Sequence, residues 1–289
     1  MHHGTLWIAV MKLALAISLV IACSAERPGG DKPDAGMMGT ELNAPMLDVP
    51  MSTPNPTVAV RGMTGGSRIV VKGGPGEPVV RSVLPTGGFC LDVPLMDSGP
   101  TQLLAYALKD GTISPAATFQ VTRDAAAAIP PNPMCLGMEA PVCVPESASA
   151  CTNMKDDDCN GFTDACDPSC NGCMDDALSP NWEPFYVPMI APGTYNLKMC
   201  PCRTDWFAFQ VTAGEVIHAH ATFDSVAIDL DMKLQTVADA EGNAATSVAS
   251  SQTTTGIEDI TWTATTAGMY YLKVYAYDGD NKPYTLRIY

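Results

Sequence analysis

Fourteen residues near the middle of the chain, KDDDCNGFTDACDP from Lys155 to Pro168, hold five carboxylates, one glycine and two cysteines. Like charges repel, so a placement this dense needs a compensating partner. With Asp156 as position 1 of a curled loop, Asp158 is position 3, Asn160 position 5, Gly161 position 6, Phe162 position 7, Asp164 position 9 and Asp167 position 12. Calcium takes six to eight oxygens at about 2.3–2.6 Å, and this spacing supplies them. Side chains at 1, 3 and 5 converge as the chain curls, glycine at 6 permits the sharp turn, and residue 7 offers its carbonyl. Position 9 coordinates directly or through water, and position 12 closes the shell. Position 12 is Asp167, shorter than the usual glutamate, so the loop must close further or accept one oxygen. Two other readings compete. One is a solvated acidic loop. The other is a zinc thiolate cage built from Cys166, Cys170, Cys173, Cys200 and Cys202.

Helices do not flank this loop; prolines, cysteines and small residues do, which sets it closer to dockerin or thrombospondin type 3 repeats than to an EF-hand. The stretch CTNMKDDDCNGFTDACDPSC, residues 151–170, resembles the cysteine-framed acidic motif of MopE-like metal-binding proteins of Gram-negative bacteria. Cys151, Asp156, Asp158, Cys159, Asn160, Gly161, Asp164, Cys166, Asp167 and Cys170 fill the matching places. The order DACDP differs from the common DCADP, which leaves the partner of Cys166 open. The resemblance implies a metal site, and calcium in a structural role is the cofactor expected.

Disulfides would pre-order such a loop, and the first residues bear on whether they form. Residues 6–22, LWIAVMKLALAISLVIA, are apolar except for Lys12 and lead into VIAC at Val20–Cys23. This resembles a bacterial lipoprotein signal, which implies removal of residues 1–22 and acylation of Cys23. Two acyl chains hold a protein firmly, at about 0.8 kcal/mol per buried methylene. Val20 and Ile21 depart from the common box, the basic start is weak, and Met11 is a rival start. An ordinary cleaved signal or an N-terminal anchor helix are the alternatives. Every one of these readings exports the chain, and the lipid reading places it on the outer membrane, periplasmic or surface-exposed.

Ten of the eleven cysteines remain beyond Cys23: Cys90, Cys135, Cys143, Cys151, Cys159, Cys166, Cys170, Cys173, Cys200 and Cys202. An even number in an oxidising compartment favours disulfides.

The elements that must position the loop read as all-β. Residues 23–52 are rich in Pro, Gly and Met without a period and form a tether. Residues 53–124 carry short period-2 runs (TVAVR, RIVVKG, FCLDVPL, TQLLAYAL, ATFQVTR) between Gly-rich turns, which predicts a small β-sandwich. The succession PTVAVRG, GFCLDVPL and ALKDGTIS resembles bacterial Ig-like modules, which implies a spacer or adhesive unit. Residues 125–178 are poor in large apolar residues, so this irregular disulfide-rich, calcium-binding segment takes its order from cross-links and metal.

Residues 179–289 return to about eight strands, predicting a jelly-roll-type β-sandwich. Its expected inward residues are Trp206, Phe207, Phe209, Val211, Ile217, Phe223, Leu230, Leu234, Ile260, Trp262, Tyr271, Val274 and Leu286, although adjacent pairs cannot share a face. GTYNLKMCP, Asp205-Trp206-Phe207, Ala213-Gly214, Asp229-Leu230-Asp231, AGMYYLKV from Ala267 and the closing PYTLRIY resemble the bacterial pre-peptidase C-terminal domain. The resemblance implies a binding or targeting accessory without catalytic residues of its own.

Other constellations read as structural. His218 and His220 share one strand face and could share a metal. Asp229 and Asp231 alternate likewise and could form a carboxylate pair. Cys200 and Cys202 read as two bridges to different partners rather than a redox pair. HExxH, GxSxG and the P-loop are missing, so an enzyme is not expected. A net charge of −15 repels nucleic acid and favours cations.

The sequence therefore predicts a lipid-anchored, non-catalytic binding, adhesion or display module, with an extracellular polymer or protein as ligand. The alternative is an accessory subunit of a secreted peptidase or polysaccharide-degrading assembly, and a third reading is a metal-scavenging envelope protein. The sequence leaves the oligomeric state open.

Overall fold

A computed structural model describes residues 42–136, 141–145, 147, 149–241 and 246–289. The signal segment 1–22, Cys23 and the tether up to residue 41 lie outside the described residues. The alternating runs of 53–124 form strands as expected, because each buries one face. They are β1 (Met46–Asp48), β2 (Ser52–Thr53), β3 (Thr57–Met63), β4 (Arg68–Lys72), β5 (Val79–Ser82), β6 (Gly88–Pro94), β7 (Gly99–Lys109), β8 (Thr112–Ile113) and β9 (Ala117–Arg123). One sheet runs β1-β3-β6; the other runs β2-β9-β7-β4-β5, with β8 on β7. Only β2 with β9 pairs in parallel among these strands. Val58, Val60, Phe89 and Leu91 of the first sheet meet Ile69, Val71, Leu103 and Val121 of the second.

This sandwich starts earlier than its sequence pattern. β1 lies within the stretch read as tether and pairs with β3 through Leu47 and Gly62. Three residues are too few to show a period, and the pairing depends on Gly62: a β-carbon there would collide with the carbonyl of Met46.

Among its described residues the middle segment carries a 3₁₀ turn (Asp164–Cys166) and α1 (Pro168–Asn171), and cross-links hold it. Cys143–Cys159 and Cys151–Cys170 close it on itself. Cys90–Cys135 ties it to β6 of the first sandwich. Cys166–Cys202 and Cys173–Cys200 tie it to the second. All ten expected cysteines are thus paired, and Cys200 and Cys202 bridge to different partners. The thiols a zinc cage needs are consumed.

The second sandwich has β10 (Gly193–Met199), β11 (Thr204–Val211), β12 (Val216–Phe223), β13 (Asp229–Thr236), α2 (Val237–Glu241), β14 (Ala249–Ser251), β15 (Ile257–Thr263), β16 (Gly268–Asp278) and β17 (Lys282–Ile288). Its sheets, β10-β17-β12-β15 and β11-β16-β13-β14, follow the jelly-roll order. Phe207, Phe209, Leu230, Leu234, Ile260, Val274 and Leu286 meet in its core, with Val211 and Ile217. Phe223 and Trp262 pack at its margin. Trp206 and Tyr271 do not join it. They lie on the outer face of their sheet, because neighbours along a strand point to opposite sides.

What covers Trp206 and Tyr271 also joins the two sandwiches. The segment NWEPFYVPMI, residues 181–190, runs along β11: Trp206 N–H donates to the Asn181 carbonyl at 2.8 Å and Ala208 N–H to the Pro188 carbonyl at 2.9 Å. Val187 packs on Trp206, Ala208 and Tyr271. Phe185 packs in the opposite direction, on Val70, Tyr106 and Leu108 of the first sandwich, its ring 5.0 Å from Tyr106. Burying a side chain of this size contributes about 1.5–3 kcal/mol. Two ion pairs flank it, Arg68–Glu183 at 2.7 Å and Lys72–Glu241.

Candidate functional site

The acidic loop lies against the first sandwich and beneath the joining segment. Its hinge is Gly161, at φ +100°, where a side chain would meet the Arg68 Cδ at 2.6 Å. The Gly161 carbonyl accepts from Asp110 N–H and from the Ser67 hydroxyl, each at 3.2 Å. Thr163 N–H donates to Asp110 at 2.8 Å. The loop is therefore fastened to the residue that leads into β4 and to the turn after β7.

Four of the six residues expected around a cation converge. Asp156 accepts from Gly161 N–H through one oxygen at 2.9 Å; the other oxygen is buried and without a hydrogen-bond partner. Asp158 accepts from Asn160 N–H at 3.1 Å and lies within hydrogen-bond reach of the Asp156 carboxyl. Asp167 is fully buried and caps α1 through Ser169 N–H at 2.6 Å. The Asn160 amide nitrogen donates to Asp158 at 3.0 Å and to Asp167 at 2.6 Å.

The other two residues are engaged differently. Asp164 accepts from the backbone of Asn153 and Met154, both at 2.9 Å, and so holds the preceding turn. The Phe162 ring is buried in contact with Trp182, centroids 5.6 Å apart.

Burial and charge crowding act together here. Asp156 is pushed up to about 6, first by burial and then by the charges of Asp158 and Asp167, against the pull of the Gly161 and Asn160 N–H groups. Asp158 is raised by burial and by Asp167. The N–H groups of Asn160 point where positive charge is wanted, between two carboxylates. No three His, Cys, Asp or Glu side chains among the described residues are arranged as a metal cage. The donor set nonetheless suits a hard cation: three carboxylates and an amide, one carboxylate oxygen orphaned and buried.

The residues bracing the loop were not singled out from the sequence. Arg203 lies over both the Phe162 and Trp182 rings, 4.5 Å from each centroid, and pairs with Asp175 at 2.5 Å. Nothing in CPCRTDW marks Arg203, because Phe162, Asp175 and Trp182 are 41, 28 and 21 residues away in the chain. Asp205, buried, accepts from the Tyr284 hydroxyl at 2.5 Å, and burial pushes its carboxyl well above the usual range.

The remaining expected residues stand elsewhere. His218 and His220 share a face, as their spacing requires. His218 stacks on Tyr289 at 4.9 Å and shares a hydrogen bond with Thr261, while His220 faces Asp259 at 3.6 Å. Asp231 is buried opposite Tyr275, so Asp229 and Asp231 do not present a paired, open acid site.

Residues 203–276, from just before β11 into β16, match the bacterial pre-peptidase C-terminal domain. The described residues thus form two β-sandwiches joined by a disulfide-held segment, the second of them similar to that domain over residues 203–276. Among solved structures it is similar to the pre-peptidase C-terminal domain of a collagenase from Bacillus anthracis, at 22% identity and TM-score 0.31, over 36% of this chain and 94% of that one. It is similar to PliG, a periplasmic inhibitor of g-type lysozyme from Aeromonas hydrophila, at 15% identity and TM-score 0.28, over 36% and 95% of the two chains. It is also similar to the secreted serine protease VesC from Vibrio cholerae, at 10% identity and TM-score 0.29, over 85% and 50%. No curated protein matches.

Proposed function

We propose that this chain is a cell-envelope binding or display module, held on the outer membrane by a lipid on Cys23 and braced by a structural calcium ion. The observation that carries the reading is the position of the acidic loop. It sits where the two sandwiches join, with disulfides leading into both. Calcium would displace the Asn160 amide hydrogens from between the carboxylates and turn the amide oxygen inward. Asp156, Asp158 and Asp167 would supply the charge and Phe162 its carbonyl, while Asp164 stays with the Asn153–Met154 turn. The ion would relieve the repulsion among three carboxylates and stiffen the joint, which leaves the surfaces of both sandwiches for an extracellular polymer or protein.

Thermal melting of the mature protein with millimolar calcium and with a chelator tests this. The melting temperature is expected to rise with calcium and to do so less with magnesium, which demands a tighter octahedral shell. An identical melting temperature in chelator and in calcium removes the ion from the proposal. A mass spectrum of the membrane fraction carrying no acyl mass on Cys23 removes the anchor.

The match at residues 203–276 favours a second reading, an accessory subunit of a secreted peptidase or polysaccharide-degrading assembly. Co-purification with a hydrolase from the native envelope distinguishes it from the first.

A further inference from the structure

A cleft of about 430 Å³ opens beside the acidic loop, within the ~300–1,000 Å³ typical of small-ligand sites. Three parts of the chain build it. Arg68 and Val80 come from the first sandwich, Asn160 from the acidic loop, and Trp182, Glu183 and Tyr186 from the joining segment. It forms only when the joint is assembled, and it lies outside residues 203–276.

Its chemistry is divided. Trp182 and Tyr186 give aromatic surface, and Val80 adds an apolar wall. Tyr186 is 38% exposed, and its hydroxyl donates to the Pro78 carbonyl at 3.2 Å, which fixes the ring at the mouth. The polar part is Glu183, 8% exposed in its side chain, with Arg68 on one oxygen at 2.7 Å. The Trp182 side chain also hydrogen-bonds to Glu183. Arg68 has five N–H donors in a rigid fork, and Glu183 engages one of its nitrogens. The site therefore offers both acceptors and donors at close range, with its two charges already paired. A ligand carrying its own full charge finds no free counter-ion there, and the acidic loop repels anions. Hydroxyl groups, which donate and accept at once, match the fork, while a ring with apolar C–H faces matches the aromatic walls.

We propose that this cleft binds a neutral sugar ring of a glycan, stacked at Tyr186 and Trp182 with its hydroxyls on the Arg68–Glu183 fork. This names a ligand class for the binding reading above and rests on it, but it does not depend on the lipid anchor.

The test is isothermal titration of the mature protein, in calcium, with cellotriose, xylotriose, chitotriose and the cationic glucosamine trimer. At least one neutral trisaccharide is expected to bind saturably. Tyr186→Ala is expected to weaken it roughly tenfold or more, as truncating an aromatic anchor does. Val80→Trp, which fills the cleft from the other wall, is expected to abolish binding. If Tyr186→Ala fails to fold, Val80→Trp carries the test alone. The assignment is overturned if no neutral trisaccharide binds at up to about 10 mM. It is equally overturned if only the cationic trimer binds, or if folded variants bind as the unaltered protein does. A calcium-dependent melting shift without sugar binding refutes the cleft assignment and leaves the proposed function standing.

Discussion

Replacing Asn160 by aspartate puts the acidic loop to a direct test. In the structure the Asn160 amide nitrogen bridges Asp158 at 3.0 Å and Asp167 at 2.6 Å. Hydrogen bonds to charged groups contribute about 1.5–3 kcal/mol each, and the exposed side of Asp158 puts this pair near the low end, about 3 kcal/mol together. The new carboxylate also adds repulsion of about 1 kcal/mol or more against its neighbours, depending on local screening. Asn160→Asp is therefore expected to lose about 4 kcal/mol in chelator at about pH 8, where the carboxyls are ionised. In a domain of this size about 1 kcal/mol moves the melting temperature by roughly 2–4 °C, so the fall is about 8–16 °C. Calcium should restore most of it. A fourth carboxylate strengthens cation binding, and an ion at about a thousand times its dissociation constant stabilises by about 4 kcal/mol. Asn160→Ala, which loses the hydrogen bonds without adding charge, is expected to stay destabilised in both buffers. Differential scanning calorimetry of the three proteins reads this directly. Equal losses for Asn160→Asp with and without calcium, or none in chelator, refute the reasoning.

Arg203→Met should cost about 3–5 kcal/mol in urea denaturation, because it strands Asp175 in a largely buried position; adding Asp175→Asn should recover part of that. Replacing Cys166 and Cys202 together by serine should cost about 3 kcal/mol rather than the ~4 kcal/mol of an isolated loop, since the Cys173–Cys200 bridge already closes most of it. A loss near zero by the same measurement would mean the joint does not depend on that bridge. Asp205, whose carboxyl is raised by burial, favours folding while protonated, so its contribution is present below the ordinary carboxylate range and is lost as pH rises through its folded value. Melting curves of Asp205→Asn should accordingly fall less steeply with rising pH than those of the unaltered protein, and parallel curves would contradict the assignment.

Most strands of both sandwiches were legible as runs because alternation is a local signal, and the turns between runs are chemically distinct; their order within the sheets was not, since it is set by contacts distant in the chain. Trp206 and Phe207 show where that signal ends. Both are apolar and adjacent, and alternation says only that they diverge. Which of them meets a core depends on the segment 181–190, which has no period. Its apolar residues answer to two different partners, Phe185 to the first sandwich and Val187 to the second. The oxidation of all ten cysteines was expected from their even number and from the export read into residues 6–23, but their pairing was not, since ten thiols admit many connectivities. Carboxylates around Gly161 were legible from spacing. The wedge of Asn160 and the diversion of Asp164 depend on backbone geometry that spacing does not encode.

The bridges also govern how the molecule behaves under tension. Along the chain, 112 residues separate Cys90 from Cys202. Through the sulfurs, the route between the sandwiches is far shorter. It crosses from Cys90 to Cys135, takes eight steps to Cys143, crosses to Cys159, and takes seven steps to Cys166 before the last crossing. At about 3.3–3.6 Å per fully extended residue, those steps span roughly 50 Å. A pull that tore every non-covalent contact at the joint would gain little more length than that before loading sulfur–sulfur bonds. The middle segment acts as a leash of fixed maximum extension, and once that length is taken up force on one sandwich reaches the other through covalent bonds alone.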